Sequence, residues 1–421
     1  MNQFRAFSVL KSFGFLALTS YLTTIANGLV TIMIVYAFGL AEFGHYVKLT
    51  LFSSMVFTAL TLNLNEIIIV KRSSAKNKVS QTIVQQIIVG ELIFCIIAMS
   101  ISVVHCVLIS PTINQFILTS VWICILAARK LASLVRPFFI AEKREDIIFF
   151  IFACPKAIFA TAILVSLYFG FGLSSVFIIF FLEAILTVIL AAKYFKKIEL
   201  VDQFKYHYEE LAITVKVAFN SLRSIAIPMN IMRGSNVLRA NSDKVLLTFI
   251  GTNEIIGVYT FAKSVNLIIM SIGRPFQTTL LRHLRQYSGS RRKTLYLYGF
   301  MTICGFCLAA SINIFNNHYL EWLLGKFKEE LTNSFEYIVI LNMSLISFFS
   351  FIWLRPFFIT QELLKKWCVV TLITTAWLPV AQFYLISNGD YLSMAYLIVA
   401  SHALTSLFGV IYFAGTIWRT K

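Results

Sequence analysis

Residues 174–195 read SSVFIIFFLEAILTVILAAKYF. This stretch contains one acid, Glu183, and no base before Lys193. A helix needs about 20 mostly apolar residues to cross the hydrocarbon core of a bilayer, so the stretch predicts a membrane span. Lys193, Lys196 and Lys197 at its end mark the cytoplasmic side, where short loops collect Lys and Arg. Working outward, hydropathy predicts further spans centred on 15–38, 46–69, 83–105, 114–139, 147–169, 213–236, 255–280, 295–315, 334–359, 367–387 and 391–414. The 421 residues are 58% hydrophobic and only 13% charged, with mean hydropathy +0.80. Soluble domains are about a quarter charged. The composition excludes a disordered chain, which needs low hydrophobicity, and a soluble nucleic-acid binder, whose cations would sit on a polar surface. The expected fold class is an all-α polytopic membrane protein with about twelve transmembrane helices.

Lys and Arg number 36 against 19 Asp and Glu, a formal charge of +17. Alternate loops are basic: Arg5 and Lys11 in the N-terminal tail, then Lys71, Arg72, Lys76 and Lys78, then Lys143 and Arg144. The pattern continues through Lys193, Lys196, Lys197 and Lys205, through Arg282, Arg285, Arg291, Arg292 and Lys293, and through Lys365 and Lys366 to Arg419 and Lys421. The opposite loops hold only Lys48, Lys244, Lys326 and Lys328. This alternation predicts cytoplasmic termini and supports twelve crossings. The first apolar run continues to about Phe38 without a small-residue cleavage site, so it reads as a retained span. The seven Cys lie in or beside apolar segments, and Cys304-x-x-Cys307 has no His or second Cys pair near it, so these thiols read as small buried hydrophobes.

Two echoes divide the chain. Leu134-Val135-Arg136-Pro137-Phe138-Phe139-Ile140 ends the fourth span, and Trp353-Leu354-Arg355-Pro356-Phe357-Phe358-Ile359 ends the tenth. Glu42-Phe43-Gly44-His45-Tyr46 follows the first span as Glu254-Ile255-Ile256-Gly257-Val258-Tyr259 follows the seventh. The expected organisation is a six-helix lobe over 1–197, a cytoplasmic linker over 198–212 and a second six-helix lobe over 213–421. Both halves enter the membrane from the same side, giving a parallel repeat that frames a central site.

Ten cations fall at membrane depth: Arg129, Lys130, Arg136, Lys156, Arg223, Arg233, Arg239, Lys263, Arg274 and Arg355. The acids there are Glu66, Glu91 and Glu183, with Glu336 at an edge. Each buried Lys or Arg costs about 2.5–3.5 kcal/mol at a helix centre on insertion scales. Arg136, Arg239, Arg274 and Arg355 are close enough to span ends to snorkel. For the others a water-filled cationic cavity is expected. Lys263, Asn266, Met270 and Arg274 share a helical stripe, Arg129 and Arg136 are seven apart, and Asn63 and Glu66 share a face. A lining rich in Arg and Lys suits an anionic cargo, which it grips through charge-assisted hydrogen bonds.

Gly39-Leu40-Ala41-Glu42-Phe43-Gly44-His45-Tyr46 resembles the short first external loop of bacterial O-antigen (Wzx-type) polysaccharide-unit flippases. So do the run from Asn241 through Gly251 with Ile256-Gly257-Val258-Tyr259, and Leu323-Leu324-Gly325-Lys326-Phe327 before the tenth span. That family shares a superfamily with the MATE multidrug exporters. The resemblance covers nearly the whole chain. It implies two six-helix lobes in a V-shaped, MATE-like architecture, alternating access, residence in the bacterial inner membrane and no catalysis. It also implies an undecaprenyl-diphosphate-linked oligosaccharide as cargo. The expected partners are that lipid-linked substrate, the bilayer and polymer-assembly membrane proteins, with no nucleic acid. No cofactor or metal is expected. The cargo's diphosphate is expected among Arg129, Lys130, Arg136, Lys156, Arg223, Arg233, Lys263, Arg274 and Arg355, and H⁺ or Na⁺ coupling at Glu66, Glu91 or Glu183. Two alternatives remain. One is a MATE-like ion-coupled antiporter of cationic drugs, which needs an intramembrane carboxylate. The other is a membrane-bound polymerase or ligase, which would need a large external loop for its chemistry.

Overall fold

The structure is a computed structural model. It describes residues 2–60, 81–109, 112–141, 144–195, 230–273, 276–277, 280, 291–327, 329–360 and 363–419. Nearly all of these residues are helical. The helices are α1 (Asn2–Ala59), α2 (Gln81–Ile109), α3 (Ile113–Ser133), α4 (Arg136–Ala141), α5 (Glu145–Ile148), α6 (Cys154–Tyr168), α7 (Leu173–Phe195) and α8 (230–250). They continue as α9 (Asn253–Ser271), α10 (Arg291–Phe315), α11 (Glu321–Phe327), α12 (Phe335–Ser350), α13 (Leu354–Thr360), α14 (Leu364–Ala376), α15 (Leu378–Ser387) and α16 (Tyr391–Arg419).

Among the described residues, ten helical segments are long and apolar enough to cross a membrane. The first, Ala17–Ala59, is 43 residues long, twice what one crossing needs, and it breaks at Gly39 (φ 87°, ψ 171°). The first external loop expected at 39–46 is therefore a single glycine joint with helix on both sides. Most of the expected seventh span, 213–236, lies outside the described residues. The helix 230–250 extends that span well beyond its expected end and absorbs Asn241-Ser242-Asp243-Lys244, which a hydropathy reading takes for loop. The longest expected external loop, 316–333, is helical through most of its length: a π turn (Asn316–Leu320), α11 and a 3-10 turn from Glu329 to Ser334.

The chain forms two compact units. One holds Met1–Val30 and Leu49–Asn230, the other Thr31–Lys48 and Ile231–Lys421. In the first unit Val56, Phe57, Cys95, Ala98, Cys106, Ile123 and Ala127 bring α1, α2 and α3 into one core. Trp122 Nε1–H donates to the Thr50 carbonyl (3.1 Å) and to Ser54 Oγ (3.0 Å), tying α3 to α1. In the second unit Tyr298, Trp353, Phe357 and Phe413 stack into an aromatic core that joins α10, α13 and α16.

The sequence echo is matched by backbone geometry at one fixed spacing. Arg144 N–H donates to the Phe139 carbonyl, and Leu363 N–H to the Phe358 carbonyl, both at 2.9 Å. Each bond closes a short helix, α4 or α13, that carries the Arg-Pro-Phe-Phe motif. Further on, Gly170 (φ 76°) and Gly389 (φ 75°) turn the chain out of α6 and α15. Phe171 N–H reaches the Ser166 carbonyl and Asp390 N–H the Leu385 carbonyl. Every pair is separated by the same offset as Arg136 and Arg355.

Within the second unit, residues of the 31–48 segment cross α9 at backbone distance. A Cβ added to Gly44 would meet the Asn253 carbonyl carbon at 2.7 Å, and one added to Gly257 would meet that of Leu40 at 2.7 Å. In both cases the carbonyl oxygen is closer still. Each glycine touches the residue four before the other, so the contact is self-complementary.

Candidate membrane-embedded charge site

The first unit gathers three of the expected cations around two carboxylates. Glu183, midway along α7, accepts from Arg129 Nε (3.1 Å) and Nη2, both on Oε2. Lys156 Nζ approaches the same oxygen at 3.7 Å. Beneath this trio lies Phe180, one turn before Glu183. Arg129 Cζ stands 5.0 Å from its ring centroid and Lys156 Nζ 4.9 Å, with Arg129 also 5.7 Å from Trp122. These distances suit cation–π attraction. Lys156 owes its place to a local device. A π turn, Phe149–Ala153, precedes Cys154-Pro155, and Pro155 opens α6 where its missing N–H is harmless. Beside the trio, Lys130 Nζ binds Glu91 Oε2 of α2 at 2.8 Å. The side chain of Arg129 is 26% exposed against 5% for Glu183, so the guanidinium is the approachable part of the cluster.

The second unit holds a network that the hydropathy reading missed. Asp243 is fully buried. It accepts from Lys263 Nζ and from Tyr259 Oη (2.5 Å), and its Oδ1 accepts from the Lys244 backbone N–H (2.8 Å). Lys244, expected in an external loop, is buried inside α8. Arg239, expected to snorkel, is buried and donates from Nη2 to Thr374 Oγ1 (3.3 Å) and Thr375 Oγ1 (2.8 Å) in the last turn of α14. A guanidinium there meets the partial negative charge of a helix C-terminus. The spacing of Tyr259 and Lys263, one turn apart on α9, was the available signal for a buried acceptor opposite them.

The expected stripe on α9 lies against protein. Lys263 is taken by Asp243, Asn266 Nδ2 donates to the Leu341 carbonyl and Asn342 Oδ1, and Met270 packs with Ala309, Leu345 and Phe349. Between Arg129 and Arg136 the helix is interrupted by a turn at Leu134 and Val135, where α3 ends and α4 begins. Arg136 is exposed, 6.0 Å from the Phe152 ring. Arg233 and Arg355 are half-buried. Arg223, Arg274, Glu66 and Asn63 lie outside the described residues. The structure thus joins Arg129, Lys156 and Glu183, and separately Lys130 with Glu91 and Lys263 with Asp243.

No protein-family model matches the chain. No curated protein matches it either. Solved structures do. A MOP superfamily transporter from Pyrococcus furiosus aligns with TM-score 0.69 at 12% identity, over 97% of this chain and 95% of that one. It is described as having a binding pocket of reverse polarity that suggests a different function. A multidrug resistance MATE family transporter of the MOP superfamily, in an inward-facing conformation, aligns with TM-score 0.68 at 12% identity over 96% of both chains. A eukaryotic MATE transporter gives TM-score 0.67 at 12% identity over 97% and 96%. The chain has the polytopic all-α fold of these MATE-like transporters.

Proposed function

We propose that the chain is a membrane transporter that flips an undecaprenyl-diphosphate-linked oligosaccharide, such as an O-antigen repeat unit, from the cytoplasmic to the periplasmic leaflet of the bacterial inner membrane. One observation carries this reading: among the described residues, three carboxylates at membrane depth are already committed to cations. Glu183 is held by Arg129 and Lys156, Glu91 by Lys130 and Asp243 by Lys263. A cationic cargo needs a free carboxylate, whereas a phosphate meets cations in excess. Arg129, Lys130 and Lys156 face two acids in the first unit. Arg239, Lys244 and Lys263 accompany one in the second. The diphosphate would dock on half-buried Arg129 with Lys156 behind it, while the polyprenyl tail stays in lipid. Alternating access requires the cargo to bind the two end states unequally, and closure of a cationic clamp on the diphosphate supplies such a difference. Coupling to H⁺ or Na⁺ would run through Glu183, the carboxylate beside that docking point.

The test is to delete the gene and ask whether lipid-linked repeat units accumulate on the cytoplasmic side, then to complement with an Arg129→Gln/Lys156→Gln variant. The expected result is accumulation and no rescue. Intact surface polymer with the double variant would sink the cationic-site reading.

A second reading, a MATE-like antiporter of drugs or cations, is favoured by the fold of the neighbours above. It predicts drug resistance on overexpression, lost when Glu91 or Glu183 is replaced by Gln.

A further inference from the structure

Two of the three cations in the first-unit cluster, Arg129 and Lys156, converge on one carboxylate oxygen, Glu183 Oε2, and on one ring, Phe180. This arrangement is unusual for an ion pair whose only task is to neutralise charge. One carboxylate cannot balance two cations, and the second cation adds a desolvation cost without a partner of its own. A guanidinium and an ammonium meet one oxygen over one aromatic face, an arrangement that a phosphate oxygen would also fit.

We propose that Glu183 is an internal stand-in for the cargo's phosphate, filling the Arg129–Lys156 clamp until the cargo displaces it. The inference rests on the anionic-cargo reading and adds a mechanism of release to it. As cargo arrives, a phosphate oxygen takes the hydrogen bonds that Arg129 Nε and Nη2 give to Oε2. The displaced carboxylate has a second cation at hand, because Lys156 Nζ lies 3.7 Å from it, farther than the atoms of Arg129 that it already holds. No covalent bond is made or broken; the exchange moves only hydrogen bonds and ion-pair contacts. Reversal of the exchange expels the cargo, so the site is never left as two bare cations in a low-dielectric interior. The most exposed member of the trio, Arg129, is the one the cargo reaches first, and the least exposed, Glu183, is the one displaced.

The exchange is tested with purified full-length protein, inorganic pyrophosphate as the probe and sulfate at equal ionic strength as the control, by thermal unfolding. Glu183→Gln removes the competing charge and keeps the shape. Without anion this variant should unfold at a lower temperature than wild type. With pyrophosphate it should regain stability, at a half-saturating concentration about tenfold or more below that of wild type. That ratio is expected when a charge-assisted hydrogen bond no longer has to be broken first. Adding Arg129→Gln should abolish the gain. A purely structural Glu183 would give the lower unfolding temperature without the tighter response, and equal or weaker pyrophosphate affinity in Glu183→Gln overturns the proposal. If Glu183→Gln does not fold, Glu183→Asp serves: its shorter side chain reaches Arg129 less well, and half-saturation must still fall below wild type. A different failure marks the underlying reading. If neither wild type nor any variant responds to pyrophosphate beyond sulfate, the anionic cargo itself is excluded.

Discussion

The crossing of Gly44 and Gly257 allows a sharp test. In either Gly→Ala variant the new Cβ would lie 2.7 Å from a carbonyl carbon of the facing helix, Asn253 for Gly44→Ala and Leu40 for Gly257→Ala. Comfortable carbon contacts begin near 3.5 Å, and in both variants the facing carbonyl oxygen is nearer than its carbon, so the helices must separate by more than about 1 Å. Overpacking of this kind costs about 3 kcal/mol at its usual upper range. Replacing glycine by alanine inside a helix returns about 1 kcal/mol, leaving a net loss of about 2 kcal/mol for each single variant. The two contacts are one turn apart on the same pair of helices, so a separation forced by one alanine makes room for the other. The double variant should then lose only about 1 kcal/mol, less than either single, instead of the additive 4 or so. Reversible unfolding in detergent of the four proteins measures the cycle. Additive losses, or single variants within about 0.5 kcal/mol of wild type, would refute the self-complementary contact.

Trp122→Phe removes an N–H that serves both Thr50 and Ser54 and should lower stability by about 1–2 kcal/mol, read by the same unfolding measurement. Lys263→Met strands buried Asp243 and should cost about 3–5 kcal/mol. Asp243→Asn added to it should recover most of that loss, and a double variant as unstable as the single would contradict the ion-pair account. Gly170→Ala and Gly389→Ala each force alanine into a left-handed turn, costing about 1–2 kcal/mol apiece. The two losses should match, whereas Gly172→Ala, which has open space around it and no positive φ, should be near neutral.

The spans were readable because each needs only a local apolar run. The repeat was readable at Arg136-Pro137-Phe138-Phe139 because the motif sits where the backbone turns. The charge partners were not. Arg129 on α3, Lys156 on α6 and Glu183 on α7 meet only through packing, and no spacing within one helix reveals it. Asp243 failed to register for a related reason. In sequence it sits in a polar run that resembles a loop, and the partners that make its burial tolerable, Lys263 and Tyr259, come from another helix. Arg239 was assigned to the interface by its place near a span end, yet threonine hydroxyls at the end of α14 give it an interior berth.

The joint at Gly39 changes what a half of this molecule means. Residues 31–48 belong with the second compact unit although first-unit residues flank them on both sides. The chain is woven rather than beaded. A cut anywhere in 198–212 would yield two fragments of six spans each on paper, but the later one would lack the strip that carries Leu40 and Gly44 into the groove at Gly257. Co-expressed fragments would have to exchange that strip to assemble, and the later fragment alone would present an open backbone-lined furrow along α9. During synthesis the same weave imposes an order: a segment near the N-terminus must wait for α9, more than 200 residues downstream, before its glycine finds its seat.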